Sequence, residues 1–241
     1  MNVLVNGASI CRGDGSWPYY LQEKTQTKFD LVNLAQAGAG NYYIHDSTVS
    51  EIAKRPYNLV MVMWSYIERF DFRVKNIMQF QDTTYTSWHS LRQNDWPSKV
   101  IHPVNDQDYV EDNWVFSCGY LNERLRKLDD SLGKVVKEYY RVVGNQEFMS
   151  TTLIKMISLQ NTLKALEIPY VFMNYRPLLK TKEFDHLYSL IDWSNFYDGP
   201  YLQHLAKEYN DFDDTLHPKS TSQIAYTNHV YDFLLKKQLI N

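Results

Sequence analysis

Two short segments hold the residue types from which a nucleophilic hydrolase site can be built. One is Val3-Leu4-Val5-Asn6-Gly7-Ala8-Ser9, an apolar run leading into a small-residue turn that carries a serine. The other is Asp214-Thr215-Leu216-His217-Pro218, with a carboxylate three residues before a histidine. A serine hydroxyl is a weak nucleophile until a base takes its proton. His217 can be that base and can later protonate the leaving alcohol, while Asp214 holds the imidazole tautomer and stabilises the imidazolium. Asp213 stands four residues before His217. A spacing of three lets two side chains of one turn point the same way, which favours Asp214. Taken singly, each residue has a plainer use: Ser9 as a helix N-cap, Asp214 as a loop carboxylate, His217 as a surface histidine before a proline. The weight lies on the set.

The elements that must position these residues can be read from hydrophobic pattern. Residues 2–5, 29–35, 57–64 and 170–174 are apolar runs of strand length, and 57–64 (YNLVMVMW) is apolar on both faces. Such a run suits a parallel strand covered by helices on both sides. Between and after them, 17–24, 42–54, 121–142, 149–166 and 201–209 have helical character. Ser220 followed by Gln223 is a capping-box signature, so Ser220 is expected to cap a last helix to about residue 237. Alternating strands and helices predict an α/β domain with a mostly parallel sheet. The chain of 241 residues is expected to form one domain, with an irregular, partly helical insertion at about 65–114.

In an open parallel sheet, ligands bind outside the carboxyl ends of the strands. Ser9, the turn at Gly38 to Asn41, the Trp64-Ser65 corner and the Asp/His loop are all expected there. On these residues the chain resembles the SGNH (GDSL-type) hydrolases. The Gly-Asp-Ser block of that family is matched by Gly7-Ala8-Ser9, its second-block glycine by Gly38 in Asn33 to Ala39, and its Asp-x-x-His block by Asp214-x-x-His217. The resemblance implies a flavodoxin-like three-layer α/β/α fold and a serine esterase acting on small acyl esters, O-acetyl groups on carbohydrate among them. It makes Ser9 the nucleophile and the Ser9 and Gly38 amides oxyanion donors. The third block departs: Met63-Trp64-Ser65-Tyr66 stands where the family has Gly-x-Asn-Asp, so the third donor is Ser65 or Asn41. Ala8 replaces the first-block aspartate. Such losses leave open a weakly active or inactive glycan-binding module that keeps the fold. Trp64 and Arg69, at and beyond the end of the third strand, are candidates for contacting substrate, with a salt bridge from Arg69 to Glu68 or Asp71 as the alternative.

Other classes fit poorly. A net charge of −3 and no basic run argue against a nucleic-acid partner. Gly38-Ala39-Gly40 lacks a following Walker lysine. A G-x-S-x-G elbow would need glycine where Cys11 stands. The two cysteines have no metal-ligand spacing and make no disulfide framework, and no His-x-x-x-His pattern occurs, so neither metal nor cofactor is expected. The sequence shows neither a signal-peptide pattern nor a membrane span, which predicts a cytoplasmic protein or a part of a larger assembly such as a virion. Aromatic residues make up 15% of the chain, 19 of them tyrosines, a supply of amphipathic rings suited to a sugar or other small polar ester as the partner.

Overall fold

Four apolar runs become four parallel strands in the computed structural model, which describes residues 1–26, 28–74, 113–116, 131–178, 180–214 and 217–240. They are β1 (Asn2–Asn6), β2 (Asp30–Asn33), β3 (Leu59–Trp64) and β6 (Tyr170–Asn174), hydrogen-bonded in the order β2-β1-β3-β6. All six residues of β3 are buried, as a run with no polar face requires, whereas the edge strand β2 is not fully covered. Beyond β6 a single parallel bridge, Phe172 to Phe196, extends the edge.

The period of two divides the sheet's side chains between two cores. Leu4, Val60, Val62, Trp64, Tyr170 and Phe172 pack on one face, against α2 (Asn41–Ile52) and α4 (Asn145–Ala165). Val3, Val5, Leu59, Met61, Met63, Val171 and Met173 pack on the other, against α1 (Trp17–Lys24), α6 (Leu202–Glu208) and α7 (Ser220–Lys236). This is the three-layer α/β/α architecture. Among the described residues no helix is long and apolar enough to cross a membrane.

Several boundaries differ from the sequence expectation. Helix α4 begins at Asn145, not 149, because a polar first turn with Glu147 near the helix N-terminus precedes the first apolar residues. Ser220 is the first helical residue of α7 and not its cap; the N-cap is Lys219. The orphan amide of Ser222 is satisfied from a distance, by Asp211 Oδ2 at 2.7 Å, with the Ser222 hydroxyl on the same oxygen. The expected insertion at 65–114 opens and closes with a two-stranded antiparallel ribbon, β4 (Asp71–Val74) and β5 (Asn113–Phe116). Its expected helical content lies outside the described residues, as does 121–130 of the expected helix at 121–142, whose remainder is α3 (Ser131–Val142). A further short helix, α5 (Asp185–Tyr188), lies in the segment after β6.

His45, on α2, bonds Ser158 Oγ of α4 at 3.0 Å. Burial, aided by the neighbouring Lys155 charge, pushes its imidazole down to about 4. The unfolded chain therefore binds a proton at His45 near the ordinary value of about 6.5 while the folded chain does not, so this residue lowers stability as pH falls from 6.5 to 4. Replacing it removes that term: His45→Gln is expected to lose less thermal stability than wild type between pH 6.5 and pH 4, read from Tm measured across that range. Parallel Tm profiles for the two proteins would refute this.

Candidate active site

The strand order places β1 between β2 and β3, and the chain reverses direction across the sheet at that point. This is the topological switch point, where a crevice forms outside the carboxyl ends of the strands. Ser9 follows β1 and Ser65 follows β3, so both stand at this end of the sheet.

The turn after β1 is fixed from behind. Asn6 is fully buried; its amide donates to Ile44 O, Ser47 Oγ and Thr48 Oγ1 of α2 at 2.8 to 3.0 Å, and its Oδ1 accepts the Gly7 amide at 2.8 Å. Gly7 is there for space: a Cβ would lie 2.6 Å from Cys11 Sγ and 3.2 Å from Met63 O. Ser9 then opens a short 3₁₀ turn, Ser9–Cys11, whose N-cap is Ala8. Ser9 thus does not cap. Its Oγ lies 2.7 Å from Nε2 of His217, a residue 208 positions away in sequence. With the imidazole proton on Nδ1, the serine hydroxyl donates to Nε2, the arrangement a general base requires. Cys11 is buried, its thiol pushed up to about 12 by loss of solvent, which leaves it no role as a nucleophile.

The two sides of the histidine loop are paired as in a hairpin. Phe212 and Pro218 form an antiparallel bridge, and the Asp213 amide donates to His217 O at 2.9 Å. In return Asp213 Oδ1 accepts the His217 amide at 2.9 Å. Residues 213 and 217 face each other across the turn, so the carboxylate turned toward His217 is four residues before it. Asp214, favoured by its spacing of three, is exposed, and among the described residues no hydrogen bond or ion pair joins it to His217. The spacing of three therefore has no contact to support it among the described residues, whereas the spacing of four has two hydrogen bonds.

Gly38 has φ +82°, in the left-handed region that favours glycine, and lies in the turn before α2. Among the described residues nothing accepts from the Ser9 or Gly38 amide. The two expected third donors differ. Both amide hydrogens of Asn41 are engaged, on Thr152 Oγ1 at 3.1 Å and Ser65 O at 3.4 Å, and its Oδ1 accepts the Ser65 amide at 2.8 Å. Ser65 Oγ is buried and has no partner among the described residues. Trp64, expected to contact substrate, is buried: its position on β3 shares a face with Val60 and Val62, and its ring packs against Phe172 at 5.4 Å. Arg69 forms neither expected salt bridge by contact. Its Nη1 donates to Ala39 O at 3.0 Å, and Glu68 instead pairs with Arg176 at 2.7 Å. The Arg69 and Arg176 guanidinium groups both lie against the Tyr66 ring, 5.3 and 4.3 Å from its centroid.

Gln223 is a site residue that the sequence pattern assigned only to helix capping. It is buried on α7; its Nε2 donates to Ile10 O at 3.4 Å and Pro218 O at 3.3 Å, and its Oε1 accepts the Trp17 amide at 2.9 Å. Ile10 follows Ser9 and Pro218 follows His217, so one amide ties the segments of Ser9 and His217 together. Gln223→Glu keeps the acceptor and loses the donors. It is expected to lower kcat on p-nitrophenyl acetate about 10- to 100-fold through loss of near-attack geometry. An unchanged kcat in a folded Gln223→Glu protein would remove it from this role.

No protein-family model matches the chain, and no curated protein matches it. Among solved structures, TesA is similar over 100% of both chains at 10% identity with a TM-score of 0.52. The psychrotrophic esterase EstA from Pseudoalteromonas sp. covers 100% of this chain and 99% of its own at 12% identity and a TM-score of 0.48. An acetylxylan esterase, Axe2 from Geobacillus stearothermophilus, covers 97% and 92% at 12% identity and a TM-score of 0.46. The fold is that of the SGNH hydrolases.

Proposed function

We propose that this protein is a serine esterase that hydrolyses small acyl esters through Ser9 and His217, with O-acetyl groups on carbohydrate as the substrate class. The observation that carries the reading is the 2.7 Å contact between Ser9 Oγ and His217 Nε2, made at the switch point between residues from opposite ends of the chain. A serine with a merely local use has no need of that partner. The acetyl and carbohydrate part rests on the resemblance to SGNH hydrolases.

In the proposed reaction Ser9 Oγ attacks the ester carbonyl carbon and its proton passes to Nε2. The tetrahedral oxyanion takes hydrogen bonds from the Ser9 and Gly38 amides, with Ser65 Oγ as the third donor. Asn41 is the weaker candidate, since its amide is engaged elsewhere. Nε2–H then protonates the leaving alcohol, and the acyl-serine is hydrolysed by water activated by the same imidazole. A carboxylate behind His217 completes the triad. The hairpin geometry supports Asp213 in that role over Asp214.

A second reading, glycan binding without turnover, has one observation in its favour: the third-block asparagine is replaced by the shorter Ser65. Removing one oxyanion donor costs roughly 3 kcal/mol of barrier. The experiment that separates the readings is hydrolysis of p-nitrophenyl acetate, with labelling of Ser9 by a serine-directed phosphonate. Turnover and labelling are expected. Absence of both, with tight binding of a glycan that Ser9→Ala leaves unchanged, would establish the second reading.

A further inference from the structure

The segment that leads from β3 into the β4–β5 ribbon grips the turn that carries Gly38. Three contacts make the grip. Arg69 Nη1 donates to Ala39 O at 3.0 Å. Asp71 Oδ2 accepts the Tyr43 amide, in the first turn of α2, at 2.5 Å. Gly40 lies so close to this segment that an added Cβ would meet Asp71 Oδ1 and stand 2.8 Å from Arg69 O. The gripping segment is itself anchored. Tyr140 Oη donates to Glu68 O at 2.6 Å and accepts the Phe70 amide at 3.1 Å, the Phe70 ring stacks on Tyr139 at 3.5 Å, and Glu68 pairs with Arg176. The turn is therefore held between α2 behind it and a braced segment beside it.

We propose that Arg69 and Asp71 are positioning residues that fix the Gly38–Asn41 turn and thereby aim the Gly38 amide at the oxyanion formed on Ser9. This deepens the esterase reading and rests on it for the oxyanion. It also gives Arg69 a task other than touching substrate. A guanidinium spent on a backbone carbonyl one residue after Gly38 governs where that amide points. Burial supports the assignment. Asp71 is 4% exposed, and loss of solvent pushes its carboxyl up to about 7 against the pull of the Tyr43 amide, Arg69, the Gly40 amide and Lys155. An acid kept there at such a cost to folding is more economically explained by placement than by stability.

The test compares Arg69→Met, Asp71→Ala and Asp71→Asn with wild type. Three readouts are used: kcat and KM on p-nitrophenyl acetate per phosphonate-titrated site, thermal midpoint, and amide hydrogen exchange over residues 38–43. Arg69→Met and Asp71→Ala are expected to lower kcat about 10- to 100-fold, with KM within about twofold and faster exchange at 38–43. Asp71→Asn retains an acceptor for the Tyr43 amide and recovers most of the loss. A merely structural role would lower the midpoint and leave kcat per titrated site unchanged, which overturns the proposal. A raised KM at constant kcat in Arg69→Met also overturns it, by making Arg69 a substrate contact. If wild type neither turns over nor labels, the esterase reading falls by itself. Exchange then decides the grip: faster exchange at 38–43 in both Arg69→Met and Asp71→Ala sustains it, and unchanged exchange removes it.

Discussion

Ser9→Ala and His217→Ala are each expected to reduce p-nitrophenyl acetate hydrolysis to background, a loss of about 10⁴-fold or more. The size follows from the roles proposed for them. Without Oγ there is no acyl-enzyme. Without Nε2 the hydroxyl keeps its proton, and the alkoxide needed for attack is not formed at neutral pH. The double variant is expected to fall no further than either single one, because the two residues act as a unit joined by the 2.7 Å contact. Tm should stay within a few degrees of wild type in Ser9→Ala, since Ser9 holds no helix cap and its hydroxyl partners only His217 among the described residues. Turnover surviving in Ser9→Ala would move the chemistry to another residue. Turnover lost in Ser9→Ala but kept in His217→Ala would leave the nucleophile in place and assign the base elsewhere.

The parts legible in the sequence are those set by local pattern. β6 matches its expected limits at 170–174 because Pro169 precedes an unbroken apolar run and a polar residue closes it. Gly7 and Gly38 could be singled out because glycine answers a backbone demand, here a close approach and a positive φ. The parts that were not legible depend on partners distant in sequence. Trp64 was expected to contact substrate; which face it occupies is decided by the register of β3 against β1 and β6, and that register buries it. Asp211, and not Ser220, satisfies the start of α7, because a loop nine residues earlier folds back onto it. Gln223 has the sequence context of a capping box, yet its amide spans the loops of Ser9 and His217, a relation no local window contains. The same limit applies to Arg69, whose Nη1 donates to a main-chain carbonyl 30 residues earlier in the chain.

The carboxylate behind His217 gives the sharpest contrast between pattern and geometry. Asp213→Asn is expected to lower kcat by about 10³- to 10⁴-fold with little change in KM, the scale seen when a triad carboxylate is neutralised and the imidazole takes the wrong tautomer. Asp214→Ala is expected to stay within about threefold of wild type. The reasoning is geometric. Asp213 and His217 exchange two hydrogen bonds across the turn, through the His217 amide to Oδ1 and the Asp213 amide to His217 O, so the carboxylate is already held against the residue it must orient. Asp214 is exposed, and an exposed charge acts on an imidazole only weakly through water. Asp213 also fastens the loop, so Asp213→Asn is the informative change: its amide oxygen can still accept the His217 amide and hold the turn, while the negative charge is gone. A collapse of kcat in Asp213→Asn with an unchanged Tm separates the electrostatic role from the structural one. The reverse pattern, with Asp214→Ala inactive and Asp213→Asn active, would mean that the spacing of three governs after all and that the loop rearranges when substrate binds.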